Sequence, residues 1–363
     1  MNHGIVTAGH EETAKAAAEI LKAGGNAFDA IVAGGFAACV AESVLASLGG
    51  GGFLMAHSED KGLERVYDFF VQTPKQVPNP KDLDFFPIEA DFGPTTQEFH
   101  IGLGSVATPG IIAGFFEIHR DLGTLPITEV LAPAIRLCRE GVPINEFQQY
   151  LFTVVSPIYV STPESRKIFG SQKKSGKLVQ AGENLKLLHL ADTLEVMGEE
   201  GSDLFYRGEI AQRIAEQCKE GGTLKMKDLE DYRVHRHDPL EFFYRGHRLL
   251  SNPPPSCGGI LIAFTLQLLD VPETEGLKFG SAEDLYQLAH AMGLTNKARL
   301  DALAEHSDWL DACKTLLDPG FLEDYRREIP DRPASLRGTT HLNVIDGKGN
   351  MASMSLSNGE GCG

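Results

Sequence analysis

A glycine followed by two threonines and a histidine sits near the end of the chain, at Gly338-Thr339-Thr340-His341. If the Gly338-Thr339 bond is cut, Thr339 becomes a chain terminus that carries a hydroxyl nucleophile and, on the same residue, an α-amine able to take its proton. A free α-amine has a pKa of about 8, so near neutral pH part of it is unprotonated and can act as the base that a hydroxyl nucleophile lacks. One residue then does the work of two. The competing reading is ordinary strand chemistry, since paired β-branched residues favour the start of a strand.

Other constellations offer less. His10-Glu11-Glu12 matches the start of a zinc-protease helix motif, but Ala14 stands where the second histidine belongs. His235 and His237 lie two apart, on one face of a strand, with Asp238 and Glu241 nearby; surface histidines beside an arginine are the commoner meaning, and no metal or other cofactor is expected. No GxSxG elbow occurs. Cys257, between Ser256 and Gly258, has no neighbour to lower its pKa and reads as a small packed residue. The Gly49-Gly50-Gly51-Gly52 run could cradle an anion, yet it lacks the spacing and lysine of a phosphate loop.

The elements that must position Thr339 are legible as patterns. Leu342 and Val344 alternate with polar residues, Asp346-Gly347-Lys348-Gly349-Asn350 is turn chemistry, and Met354 and Leu356 alternate with serines, which predicts a hairpin. Helical spacing from Glu11 to Lys22 stops at Gly24-Gly25, and Asn26 offers a cap for a second helix that is small and apolar on nearly every side. Asp29, Glu42 and Gly34-Gly35 interrupt that apolar run, which suits a buried helix rather than a membrane span. Phe53 to His57 and Val66 to Val71 read as short strands. Helices are predicted over 111–122, 127–139, 145–155, 184–197 and 208–219. A strand follows over 240–250, then a rigid Pro-Gly loop over 252–259 that is neither helix nor strand. Helices are predicted again over 260–269 and, capped by Ser281, to Ala304. Asp318 to Pro333 reads as an exposed connector. One sheet shared by both termini, with the helical section inserted between them, is the expected arrangement.

A chain of 363 residues with 42% hydrophobic and 23% charged side chains is globular in composition. Its net charge of −17 argues against nucleic acid or an anionic membrane as partner. The basic cluster of Arg166, Lys167, Lys173, Lys174 and Lys177 is diluted by Gly and Ser and reads as a solvated loop. The six cysteines are scattered without a CxxC pair, and no basic, apolar leader opens the chain, so the expected compartment is the cytoplasm.

Several stretches together resemble the gamma-glutamyltranspeptidase family: Gly24-Gly25-Asn26-Ala27-Phe28-Asp29-Ala30, Gly49 to Phe53, Val106-Ala107-Thr108-Pro109-Gly110, Pro253 to Gly259, and Thr339-Thr340-His341 with Val344-Ile345-Asp346. The resemblance implies an α+β fold, the N-terminal-nucleophile hydrolase αββα sandwich. It implies a precursor that cleaves itself between Gly338 and Thr339 into a large-subunit region, 1–338, and a small subunit beginning at 339. Within the first, 1–107 holds core helices and strands and 108–338 the mostly helical section. Thr339 would then attack a γ-glutamyl amide such as glutathione, and water or an acceptor amine would resolve the acyl-enzyme. Ser357 falls where the family has a second hydroxyl that hydrogen-bonds the nucleophile.

Two departures from the pattern shape the expectations. Phe70 stands where the family's substrate-gripping arginine belongs, and losing such a contact costs a few kcal/mol of carboxylate binding. The asparagine expected two residues beyond Ser357 is displaced, with Asn358 one residue early. The chain also ends at Gly363, soon after the hairpin, where the family's small subunit continues and supplies oxyanion donors. A truncated form, inactive alone and with an unpaired edge along the strand from Met351, is therefore expected. The expected partners are a small amide or peptide substrate, an acceptor, the rest of the small subunit, and further copies of the processed heterodimer. The alternatives are an acylase for a non-glutamyl amide of cephalosporin type and a non-catalytic relative with a binding role.

Overall fold

The computed structural model describes residues 3–76, 79–93, 95–271, 277–306, 308–326 and 340–358. In chain order, strand β1 (Gly4–Thr7) leads to helices α1 (Glu11–Lys22) and α2 (Ala27–Ala41), strands β2 (Gly51–Ser58) and β3 (Leu63–Phe69), and a hairpin of β4 (Phe86–Asp91) with β5 (Thr96–Ile101). Helices α3 (Ile111–Leu122) and α4 (Ile127–Glu140), strand β6 (Val142–Pro143), and helices α5 (Glu146–Val154), α6 (Ser156–Tyr159) and α7 (Pro163–Phe169) follow. Strand β7 (Asn184–Leu185) precedes α8 (Leu188–Glu200), α9 (Asp203–Tyr206), α10 (Glu209–Gln217) and α11 (Met226–Asp231). Then come β8 (His235–His237), β9 (Leu240–Tyr244), β10 (His247–Ser251), α12 (Cys257–Leu268), α13 (Ala282–Glu305), α14 (Trp309–Leu316) and α15 (Pro319–Arg326). Strands β11 (Thr340–Asp346) and β12 (Met351–Ser357) close the description.

The chain divides into two units, the first formed by 1–63, 67–236 and 338–363. Among the described residues its main sheet has six strands in the order β1-β11-β12-β2-β3-β8. Both termini share it, as the sequence predicts. The expected unpaired edge at Met351 is wrong, because β2 pairs with β12 along its whole length, Met351 opposite His57 through Ser357 opposite Gly51. Strand β1 likewise covers the other side of β11. Long-range pairing supplies the backbone partners that no local pattern in the hairpin announces.

Period-two alternation turns Leu342, Val344, Ala352, Met354 and Leu356 onto α2, where all five are buried. Helix α2 is itself buried along its length. It starts at a capping box in which Asn26 and Asp29 satisfy each other's backbone N–H groups. Close packing needs the paired glycines: a Cβ at Gly34 would lie 2.9 Å from Leu342, and one at Gly35 would lie 2.5 Å from Phe115. The opposite face of the sheet carries exposed Ile5, Ile345 and Met351. This six-stranded sheet and the helices on its buried face are one sheet and one helical layer of the sandwich.

The second unit comprises 64–66 and 237–337. Phe264, Leu294, Ala298 and Leu316 form the centre of its helical core, and Thr265 and Thr295 share a hydrogen bond of 2.8 Å between α12 and α13. Three expectations are corrected here. Residues 240–250 form a hairpin, turning at Arg245 with φ +49° and Gly246 with φ +76°. The segment read as an irregular loop becomes helix at Cys257, where Gly259 lies so close to Asn252 that a Cβ would be 2.0 Å from its carbonyl oxygen. The exposed connector proves to begin as α15, with Leu322 and Tyr325 buried; its remainder, 327–333, lies outside the described residues.

Candidate active site

Gly338 and Thr339 fall outside the described residues, so the site is built from what surrounds the start of β11. Thr340 pairs with Leu356, and the next residue along β12, Ser357, pairs with Gly51 of β2. The glycine run makes this approach feasible: a Cβ on Gly50 would lie 2.5 Å from the Ser357 carbonyl oxygen and 2.9 Å from Asn358 Oδ1. A Cβ on Gly51 would lie 2.6 Å from the Val71 nitrogen and 3.0 Å from Phe70. Ser357, Asn358 and Phe70, far apart in sequence, therefore converge on Gly50-Gly51. The Gly50 carbonyl is itself held at the start of α3, accepting from the N–H groups of Gly110 at 2.9 Å and Ile111 at 3.2 Å.

Asn358 brings an unusual group to this point. Its Oδ1 and Nδ2 are buried and have no hydrogen-bond partner among the described residues, a condition that costs about 1–3 kcal/mol per group. Phe70 follows β3 and is 45% exposed; its ring stacks on Phe53 with centroids 5.5 Å apart and planes at 20°. Its backbone is fixed by Tyr232, whose hydroxyl donates to the Phe70 carbonyl at 2.9 Å. Burial, with the nearby Tyr206, Asp68 and Glu117, pushes the Tyr232 phenol well above its ordinary range, so it stays a donor.

Beside the strand entry, Thr340 is 3% exposed and its hydroxyl donates to Glu42 Oε2 at 2.7 Å. Thr13 of α1 donates to the other oxygen, also at 2.7 Å. On the open face, His341 Nδ1 lies 2.8 Å from Ser355 Oγ and its Nε2 3.1 Å from Asn343 Oδ1. Sequence reading singled out neither Glu42 nor Tyr232. Glu42 gave one signal, an acid that with Asp29 interrupts an apolar run, and Tyr232 gave none.

Among the described residues no three His, Cys, Asp or Glu side chains are grouped to hold a metal. His10 caps α1, its Nδ1 accepting from the Glu12 N–H at 3.1 Å. Cys257 is exposed, whereas Cys39 and Cys138 are buried, and burial pushes the Cys138 thiol up to about 12. A groove of about 560 Å³ runs between α4 and α8, but Arg136 and Arg139, which line it, are engaged by Glu19 and Glu195. No described helix is long and apolar enough to cross a membrane.

The family described as gamma-glutamyltranspeptidase matches residues 13–363. The glutathione hydrolase proenzyme of Escherichia coli is 31% identical, over 98% of this chain and 62% of its own length. The gamma-glutamyltranspeptidase of Helicobacter pylori superposes with a TM-score of 0.76 at 25% identity, over 93% of this chain and 94% of that one. The cephalosporin acylase of Bacillus halodurans gives 0.80 at 26% identity, over 100% of this chain and 67% of that one. The chain spans between about half and two thirds of the length of the curated relatives it matches, 62% and 54% for two of them. The sheet, its helical layer and these superpositions give the α+β fold of the N-terminal-nucleophile hydrolases, and the chain belongs to the gamma-glutamyltranspeptidase family.

Proposed function

We propose that the protein is an amide hydrolase and acyl transferase that cleaves itself between Gly338 and Thr339 and then acts on γ-glutamyl compounds such as glutathione. The observation that carries this reading is the convergence of Ser357, Asn358 and Phe70 on Gly50-Gly51, beside Thr340, the residue bonded to Thr339. In the precursor, the Thr339 hydroxyl adds to the Gly338 carbonyl, the peptide C–N bond breaks, and the α-amine is released as an ester forms. Water hydrolyses that ester, leaving a Gly338 carboxylate and the hydroxyl nucleophile with its own amine. The amine then takes the hydroxyl proton as the oxygen attacks the substrate amide, and returns it to the departing amine. Water or an acceptor amine releases the acyl group.

Ser357 is the hydroxyl that orients the nucleophile, and the unpartnered amide of Asn358 is a substrate contact. The 1–338 piece and the piece beginning at Thr339 stay together because β11 and β12 are hydrogen-bonded between β1 and β2. A second reading has its own observation: the Phe53–Phe70 stack puts an apolar surface where a carboxylate-gripping arginine is expected, which favours an acylase for a non-glutamyl amide. Turnover of glutathione against that of a cephalosporin-type amide, by the self-cleaved full-length protein, decides between them. Absence of both activities in cleaved protein would overturn the enzyme assignment.

A further inference from the structure

Glu42 is a buried carboxylate in a place that works against it. It caps the C-terminal end of α2, where the helix dipole disfavours negative charge, and it is 7% exposed. Among the described residues its two oxygens accept from the hydroxyls of Thr13 and Thr340, each at 2.7 Å, and no cation lies within ion-pair distance. A buried carboxyl without a cation is costly, and here each of its oxygens is committed to one hydroxyl, on α1 and at the entry of β11. Gly9 packs directly against this pair: a Cβ there would lie 2.6 Å from Glu42 Oε2 and 3.0 Å from Thr340 Oγ1.

We propose that Glu42 is a positioning residue for self-cleavage: through Thr340 it fixes where the chain enters β11, and so the placement of the scissile Gly338-Thr339 bond. Thr340 is covalently next to Thr339, so a rotation of its side chain or a slip of its backbone is passed directly to the nucleophile. Thr13 anchors the carboxylate from the other side, on α1. The inference rests on the self-cleavage reading above and adds a residue to it.

The test follows the splitting of the full-length gene product by intact mass, with the Tm of every variant recorded. Glu42→Ala and Thr340→Val should each slow splitting about 100-fold, the scale of a small misplacement of reacting groups. Because both act through one hydrogen bond, the double variant should be no slower than the slower single one. Glu42→Gln and Thr340→Ser keep an acceptor and a donor and should split within about threefold of wild type. Ile118→Ala, which removes buried surface on α3 and no bond to Glu42, should lose Tm without comparable slowing. Glu42→Ala splitting at the wild-type rate would overturn the inference alone, as would singles whose effects multiply in the double variant or a Glu42→Gln as slow as Glu42→Ala. If Glu42→Ala does not fold, Thr340→Val against Thr340→Ser still decides. A wild type that never splits would overturn the self-cleavage reading and this inference together.

Discussion

In the proposed enzyme, Phe70 is the residue on which substrate preference turns. An arginine there would present a fork that matches a carboxylate in two parallel hydrogen bonds, while Phe70 offers a ring stacked on Phe53. Phe70→Arg should therefore raise kcat/KM for γ-glutamyl-p-nitroanilide about tenfold or more, equivalent to about 1.4 kcal/mol, and lower it for an apolar acyl anilide. Unchanged ratios would remove Phe70 from the acyl site. At this scale sequence reading singled out Ser357, Asn358 and Phe70, because family motifs mark them, and the fold brings all three to Gly50-Gly51. It did not find the Glu42 contacts, since Thr13 and Thr340 lie 29 and 298 residues away from Glu42 and no local pattern encodes such pairs.

Besides the ends of β2 and β3, the candidate site rests on the β11–β12 hairpin and the start of α3. The hairpin's turn is fastened to α2 by Asp346, which accepts from the N–H groups of Ala27, Lys348 and Asn350 and from the Asn350 side chain. Burial works to raise the Asp346 pKa, but these hydrogen bonds outweigh it and hold the carboxyl below its ordinary range. A folded-state pKa below the unfolded value means the stabilisation is complete above the unfolded carboxyl pKa, about 3.9, and is lost as pH falls through the folded one. Asp346→Ala should thus cost about 2 kcal/mol at pH 7, with the difference in Tm from wild type shrinking below about pH 4. A pH-independent difference would contradict the assignment.

At the start of α3, a Cβ on Gly110 would lie 1.9 Å from the Phe69 carbonyl oxygen and 2.2 Å from the Tyr232 hydroxyl. Gly110→Ala should cost about 3 kcal/mol through overpacking, seen as a lower urea midpoint, and should slow splitting by displacing Gly50. A neutral Gly110→Ala would mean that this contact is loose. Elements with strong local signals, such as α1, α2, α3 and the β11–β12 hairpin, were legible because caps, glycine stops and alternation agree. The β9–β10 turn was not, since Arg245 adopts the left-handed conformation without an Asn-Gly signal. Strand β1 has four residues and no turn of its own, and its pairing with β11 comes from the far end of the chain.

For the molecule as a whole, the sheet's open face is the feature with a consequence for assembly. Helices cover one side, and the other leaves Ile5 64% exposed with Ile345 and Met351 each at 43%, a surface that the second sheet of the sandwich is suited to cover. The protein should bind a hydrophobic dye such as ANS, and replacing Ile5, Ile345 and Met351 together by serine should weaken that binding. Equal binding by the variant would mean that the dye does not find this face. Fold class was readable at this scale because family blocks run through nearly the whole chain in order, and the matches over residues 13–363 agree.

The claim on which all of this depends is that Thr339 cuts the chain ahead of itself. Its most direct test is the intact mass of the full-length gene product beside that of Thr339→Ala, each incubated after purification. The account predicts wild type split between Gly338 and Thr339 and a variant that stays whole; two folded, uncut proteins would contradict it and return Thr339 to an ordinary strand residue.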